Sequence, residues 1–180
     1  MSSPVSPAVD AADAGARPPG PGAGPQRGPG SRLTSAFIVA NLVGQILIVA
    51  TGGAVRLTAS GLGCSTWPQC EPGSFTPEFR DALTIHPYVE FGNRLVAVVL
   101  ALVAVVVALR VGRDRSRARS LRLLAFVPLL GVLAQAVIGG LSVLASLHPA
   151  GVGSHMLVSL ALVSASTVLL HRYREGDGPA

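Results

Sequence analysis

Four long apolar runs, separated by polar segments, set the pattern of this chain. They cover about Leu33–Val55, Arg94–Val111, Leu121–Leu144 and Val152–Leu170. The second holds fifteen consecutive apolar residues, Leu95 to Leu109. Each run approaches the roughly 20 residues a helix needs to cross a bilayer. Hydrocarbon offers no water to open backbone, so each run is expected to be helical. The expected fold is all-α, an integral membrane four-helix bundle over 33–171. Residues 1–30 are rich in Pro, Gly, Ala and Ser. Such a segment buries too little apolar surface to offset its ordering entropy, so 1–32 is expected to be a disordered cytoplasmic tail. It lacks the basic start and short apolar core of a signal peptide. A polar C-terminal tail is expected over 172–180, ending in Gly176-Asp-Gly-Pro-Ala180.

Composition agrees: 49% of residues are hydrophobic and 13% charged, a membrane-protein balance. The net charge is +5 and every basic residue is Arg. In a soluble protein that excess would suggest nucleic acid. Here the Arg residues crowd helix ends, so topology explains them and no nucleic-acid partner is expected. Arg17, Arg27 and Arg32 precede the first span. Six Arg from Arg110 to Arg122 separate the second and third, Arg172 and Arg174 follow the fourth, and Ala145–Gly151 has none. By the positive-inside rule both termini are cytoplasmic and the Arg56–Tyr88 loop faces outside. The expected location is the cell membrane, multi-pass.

That loop concentrates the unusual residues. Cys64-Ser-Thr-Trp-Pro-Gln-Cys70 holds both cysteines and the single tryptophan. The outside is oxidising, so the pair is expected to be a disulfide. Two reduced thiols are the alternative, and a metal site is less favoured because no His lies close in sequence. A structural staple is preferred over an exchangeable redox pair. Pro87 suits a helix first turn, with Thr84 or Asp81 as its cap. Glu90 then sits just inside the second span as a candidate proton donor or acceptor. The competing reading is a salt bridge to Arg94, one turn on, and the two are compatible.

Polar groups inside spans are costly and face a bundle interior or a site. Asn41 and Gln45 share a helix face. For these two and for Gln135, interhelical hydrogen bonding is the favoured reading. His155 lies near the outer end of the fourth span, on the same side as Glu90. An imidazole there can ligate haem iron or bond a neighbouring carbonyl. His148 is expected to be solvated and His171 interfacial.

The stretch Thr51-Gly-Gly-Ala-Val-Arg-Leu-Thr-Ala-Ser-Gly-Leu-Gly-Cys-Ser-Thr-Trp-Pro-Gln-Cys70 resembles the first outer loop of haem A synthases. Val89-Glu-Phe-Gly-Asn-Arg-Leu95, Gln135-Ala-Val-Ile-Gly-Gly-Leu-Ser-Val143 and Gly153-Ser-His-Met156 resemble the same family, over about Thr34–Leu170. The resemblance implies oxidation of the C8 methyl of haem O to a formyl group, which supplies haem A to cytochrome c oxidase. It implies an essential role for Glu90, axial ligation by His155 and a Cys64–Cys70 disulfide. Arg56 and Arg94 are candidate partners for haem propionates. Many members carry His where this chain has Asn93. The expectation is five-coordinate iron on His155, with Asn93 hydrogen-bonding in the open position. His86, seven residues before Asn93, lies about 10 Å away along a helix and cannot replace it.

Full-length members have eight spans in two similar bundles, the second with its own His pair and haem b. This sequence resembles the first bundle. It is expected to self-associate, to pair with a separate second half, or to be an inactive relative. Haem O synthase and oxidase assembly factors are the other expected partners. The competing functions are a non-catalytic haem-binding or oxidase-assembly protein and a redox sensor working through Cys64 and Cys70.

Overall fold

The computed structural model describes residues 29–77 and 85–176. The tail through residue 28, Glu78, Arg80, Asp81 and Thr84, and the last four residues lie outside these. Within them the chain is helical: α1 Pro29–Leu57, α2 His86–Gly112, α3 Arg119–Leu124, α4 Val127–Leu144 and α5 Pro149–Glu175. Four stretches are long and apolar enough to cross a membrane: Ser31–Leu57, His86–Gly112, Arg119–Leu144 and Pro149–Glu175. The protein is a multi-pass membrane protein.

The helices run past the apolar runs that announce them. α1 begins inside the expected tail, and α5 carries Arg172 and Arg174 in its last turn. α2 starts at His86, two turns before its apolar run. Pro87 falls in its first turn, where the missing N–H costs nothing. The N-cap is Ile85, with no side-chain cap. Glu90 and Arg94 are therefore helical residues one turn apart. The third span is two helices. Pro128 starts α4 and cannot donate to the preceding turn, so the chain breaks between Leu124 and Val127. Before that break, across the turn from α2 to α3, Arg122 Nε donates to the Gly112 carbonyl at 2.9 Å, satisfying an open acceptor at the end of α2.

α1 packs on α2 and α5, and α4 closes the ring by packing on both α2 and α5. α2 and α5 are thus diagonal. The large buried side chains gather at the Arg-rich end: Ile38, Val107, Val111, Leu121, Leu169 and Tyr173. Arg110 covers Phe37 at 5.6 Å and Arg117 covers Tyr173 at 4.6 Å, so two cations cap this end over aromatic faces. The rest of the interior sets Leu100, Val132 and Leu162 among buried amides, hydroxyls and glycines. α4 meets α5 along a seam of small and polar residues. Gly131 faces Leu162, Gln135 faces Ser159, Gly139 faces His155, and Ser142 faces Gly151. In lipid such a seam replaces hydrophobic burial with close backbone approach and interhelical hydrogen bonds.

Candidate functional site

The loop after α1 folds back onto the start of α2. Cys64 and Cys70 form a disulfide, and both are fully buried. A turn at Glu71–Ser74 closes the far side of the ring, with the Cys70 and Glu71 N–H groups both donating to the Ser74 carbonyl. The loop's entry is tied down by Ser60, whose hydroxyl lies 2.8 Å from His86 Nδ1. Gly63 lies so close to the His86 carbonyl that a Cβ there would stand 2.5 Å from its oxygen.

Glu90 sits beneath this loop, 5% exposed. Its Oε2 accepts from the Cys64 N–H at 2.9 Å, and its Oε1 accepts from Arg94 Nη2 at 2.6 Å. Both terminal nitrogens of Arg94 also donate to the same loop. Nη2 reaches the Thr66 carbonyl at 3.1 Å and Nη1 the Gln69 carbonyl at 3.0 Å. The expected Glu90–Arg94 pair is present, and it does more than pair. The carboxylate and the planar guanidinium fork together clamp the disulfide ring onto α2. Trp67, at the ring's tip, reaches α4 and lies over Gly140, where a Cβ would meet the indole at 2.5 Å.

Asn93, one turn below, accepts from the Thr51 hydroxyl at 2.7 Å and so joins α2 to α1. His155 is half-buried on α5 beside Gly139. Its carbonyl accepts from Gln135 Nε2 at 2.9 Å. Its Nδ1 is buried and has no hydrogen-bond partner among the described residues. The helix register gives its depth. Asn41 meets Ser166, so ten residues further along α1 Thr51 stands level with Met156. Thr51 also meets Asn93. Asn93 and His155 therefore stand at the same depth on diagonal helices, and Glu90 lies about one turn further out.

The remaining candidates stay apart. Arg56 is exposed in the last turn of α1. No hydrogen bond among the described residues links His155 to Glu90, Arg94 or Asn93. His148 caps α5, its Nδ1 accepting from the Ala150 N–H at 3.3 Å. It lines a cleft of about 440 Å³ at the loop end of α4 and α5, with Ser142, Gly151 and Ser154. That cleft touches neither Glu90 nor His155. Among the described residues no three His, Cys, Asp or Glu side chains cluster as metal ligands. A haem would rely on a single imidazole here. Among the contacts that escaped the sequence reading are Thr51 on Asn93, Ser60 on His86 and Trp67 on Gly140. The Gly139-Gly140 pair was the available signal for the last.

Residues 35–179 match the model of a family described as cytochrome oxidase assembly protein. Three relatives share the name heme A synthase. The heme A synthase of Lysinibacillus sphaericus (strain C3-41) is 35% identical over 144 residues, which is 78% of this chain and 44% of the relative. The heme A synthase of Symbiobacterium thermophilum (strain DSM 24528 / JCM 14929 / IAM 14863 / T) is 36% identical over 115 residues, 63% of this chain and 35% of the relative. That of Halalkalibacterium halodurans is 27% identical over 137 residues, 76% of this chain and 44% of the relative. The chain thus spans less than half the length of these relatives. No solved structure matches it.

Proposed function

The chain belongs to the cytochrome oxidase assembly protein family, and from that premise we propose that its bundle binds haem O and takes part in oxidising the C8 methyl to the formyl group of haem A. The observation that carries this reading is His155. Its imidazole keeps a buried nitrogen without a partner, level with Asn93 across the bundle. An unsatisfied buried polar atom costs about 1–3 kcal/mol, a cost that a ligand can remove. Gly139 leaves the ring its place, since a Cβ there would stand 3.3 Å from Cε1 and 3.7 Å from Nδ1, and His155 is the residue that would hold a haem. A haem iron held by His155 would supply the redox chemistry of the methyl oxidation.

The chain's own residues do the rest. His155 holds and orients the macrocycle, and Asn93 faces it from the diagonal helix with its amide N–H donors while Thr51 fixes its oxygen. Converting a methyl to a formyl group is a four-electron oxidation that adds one oxygen atom. With water as its source four protons leave and the electrons pass to an external acceptor, whereas with molecular oxygen as oxidant one water leaves. The Glu90 carboxylate would act as the base for protons released there, a role supported by the lone pair each of its oxygens keeps beyond the bonds to Cys64 and Arg94. Arg94 is a positioning residue, since its donors are committed to Glu90 and the loop. Arg56, exposed at the membrane edge, is the better candidate for a haem propionate.

The reading includes a companion bundle, either a second copy of this chain or a separate second half, and both termini on the cytoplasmic side of the cell membrane. Haem b is the expected cofactor of that companion. Haem O synthase would deliver the substrate. The test is co-expression with a haem O source followed by extraction and identification of the bound haem. Haem A should appear with the wild type and vanish with Glu90→Ala. A second reading, a haem-binding assembly protein without catalysis, is favoured by the structural use of both Glu90 oxygens. Bound haem O that is never converted would establish it. Absence of any haem, with function lost in Cys64→Ser, would point to a redox sensor instead.

A further inference from the structure

Two of the most buried side chains in the molecule are amides with unused hydrogen-bonding atoms. Asn41 and Gln45 stand one turn apart on α1, 0% and 2% exposed. Asn41 Nδ2 donates to Ser166 Oγ on α5 at 3.0 Å, while its Oδ1 has no partner among the described residues. Gln45 Nε2 likewise has none. On a helix this spacing sets the two Cβ atoms about 5–6 Å apart. An acceptor and a donor therefore face the same region of the interior, each carrying the cost of burial without a bond.

Their surroundings are apolar. Ile38 lies one turn toward the Arg-rich end and is fully buried. Leu100 fills the space at Gly44, and Leu162 fills that at Gly131. Depth follows from the register: the pair lies six to ten residues along α1 from Thr51, or about 9–15 Å at helical rise. It is thus set inward from the level of Asn93 and His155, toward the cytoplasmic end.

We propose that Asn41 and Gln45 form a specificity subsite for the hydroxyl on the isoprenoid-bearing side chain of haem O. A hydroxyl donates one hydrogen bond and accepts others. It can give its proton to Asn41 Oδ1 and accept from Gln45 Nε2, which satisfies both orphaned atoms at once. A vinyl group, which haem b carries at that position, satisfies neither. A site built to bond a hydroxyl rejects the analogue that lacks it, because the buried amides are then left unpaired. The subsite rests on the haem-binding reading of His155 and deepens it, turning a haem pocket into one that selects the hydroxylated haem.

The test titrates the purified full chain in nanodiscs with haem O and with haem b, following the Soret band. The wild type should bind haem O at least about tenfold more tightly than haem b. Asn41→Leu and Gln45→Met should each remove most of that preference while haem b affinity stays within about twofold. Gln45→Met keeps the side-chain volume, and its Nε2 has no bond to lose, so it carries the test if Asn41→Leu fails to fold. Equal affinity for the two haems in the wild type overturns the proposal, as does a preference that survives both variants. The amides then hold an internal water only. Parallel loss of both haems also overturns it, as a structural role. A wild type that binds neither haem defeats the functional reading itself, an outcome readable apart from the others.

Discussion

Arg94 converts one side chain into four bonds with two different duties. It neutralises Glu90, and it gathers the carbonyls of the disulfide ring. Lys at this position would keep the charge and lose the fork, since an ammonium cannot span Glu90 and the Thr66 and Gln69 carbonyls in one plane. Arg94→Lys is expected to cost about 1–2 kcal/mol. Thermal unfolding in detergent should show it, together with faster reduction of Cys64–Cys70 by added thiol. An unchanged reduction rate would mean that the disulfide alone holds the ring. Asn93 offers a separate test. Asn93→His places a second imidazole level with His155, on the diagonal helix. With haem bound, the Soret and visible bands should shift from a high-spin to a low-spin pattern. Unaltered spectra would show that position 93 does not face the iron.

At the scale of elements, the four spans were legible because hydropathy over about 20 residues is a strong signal. Their ends were less so, although Pro87 marked the first turn of α2. α2 begins eight residues before its apolar run because the polar residues of its first turns are satisfied by the loop above them. Glu90 bonds the Cys64 N–H and Arg94 bonds loop carbonyls, partners that exist only after the chain has folded back. The break before α4 had a visible cause in Pro128, yet the apolar run reads straight through it. The pairing of Cys64 with Cys70 was legible from compartment and spacing, while the seating of the ring was not. Trp67 resting over Gly140 supplies that seating, and it can be measured, because Trp67 is the chain's single tryptophan. A Cβ on Gly140 would press on the indole, whereas one on Gly53 would meet nothing within 4 Å. Gly140→Ala should therefore displace the ring, cost about 1–3 kcal/mol and shift the tryptophan emission to the red. Gly53→Ala should leave the emission where it is. Equal spectra for the two variants would remove Trp67 from the contact between loop and α4.

For the molecule as a whole, the proposed orientation rests on charge, and it would decide which chemistry each end meets. One end carries Arg32, Arg110, Arg113, Arg115, Arg117, Arg119, Arg122, Arg172 and Arg174 against Asp114 and Glu175 among the described residues. The other carries Arg56 and Arg94 against Glu71 and Glu90. Arg bias near span ends, rather than net charge, decides which side stays in the cytoplasm, and the bias here is one-sided. A buried disulfide at the Arg-poor end agrees with it, since such bonds persist on the oxidising side. Both native cysteines are paired, so an introduced thiol can be read without removing them. Ser116 is exposed in the Arg-rich turn and Ser146 in the α4–α5 loop. In intact cells a membrane-impermeant maleimide should label Ser146→Cys, and it should label Ser116→Cys only after lysis. The reverse pattern would invert the bundle. It would put the disulfide ring, Glu90 and the His155 level on the cytoplasmic side, where thiols are kept reduced. The clamp that holds Glu90 would then lose the oxidising surroundings that keep its ring closed.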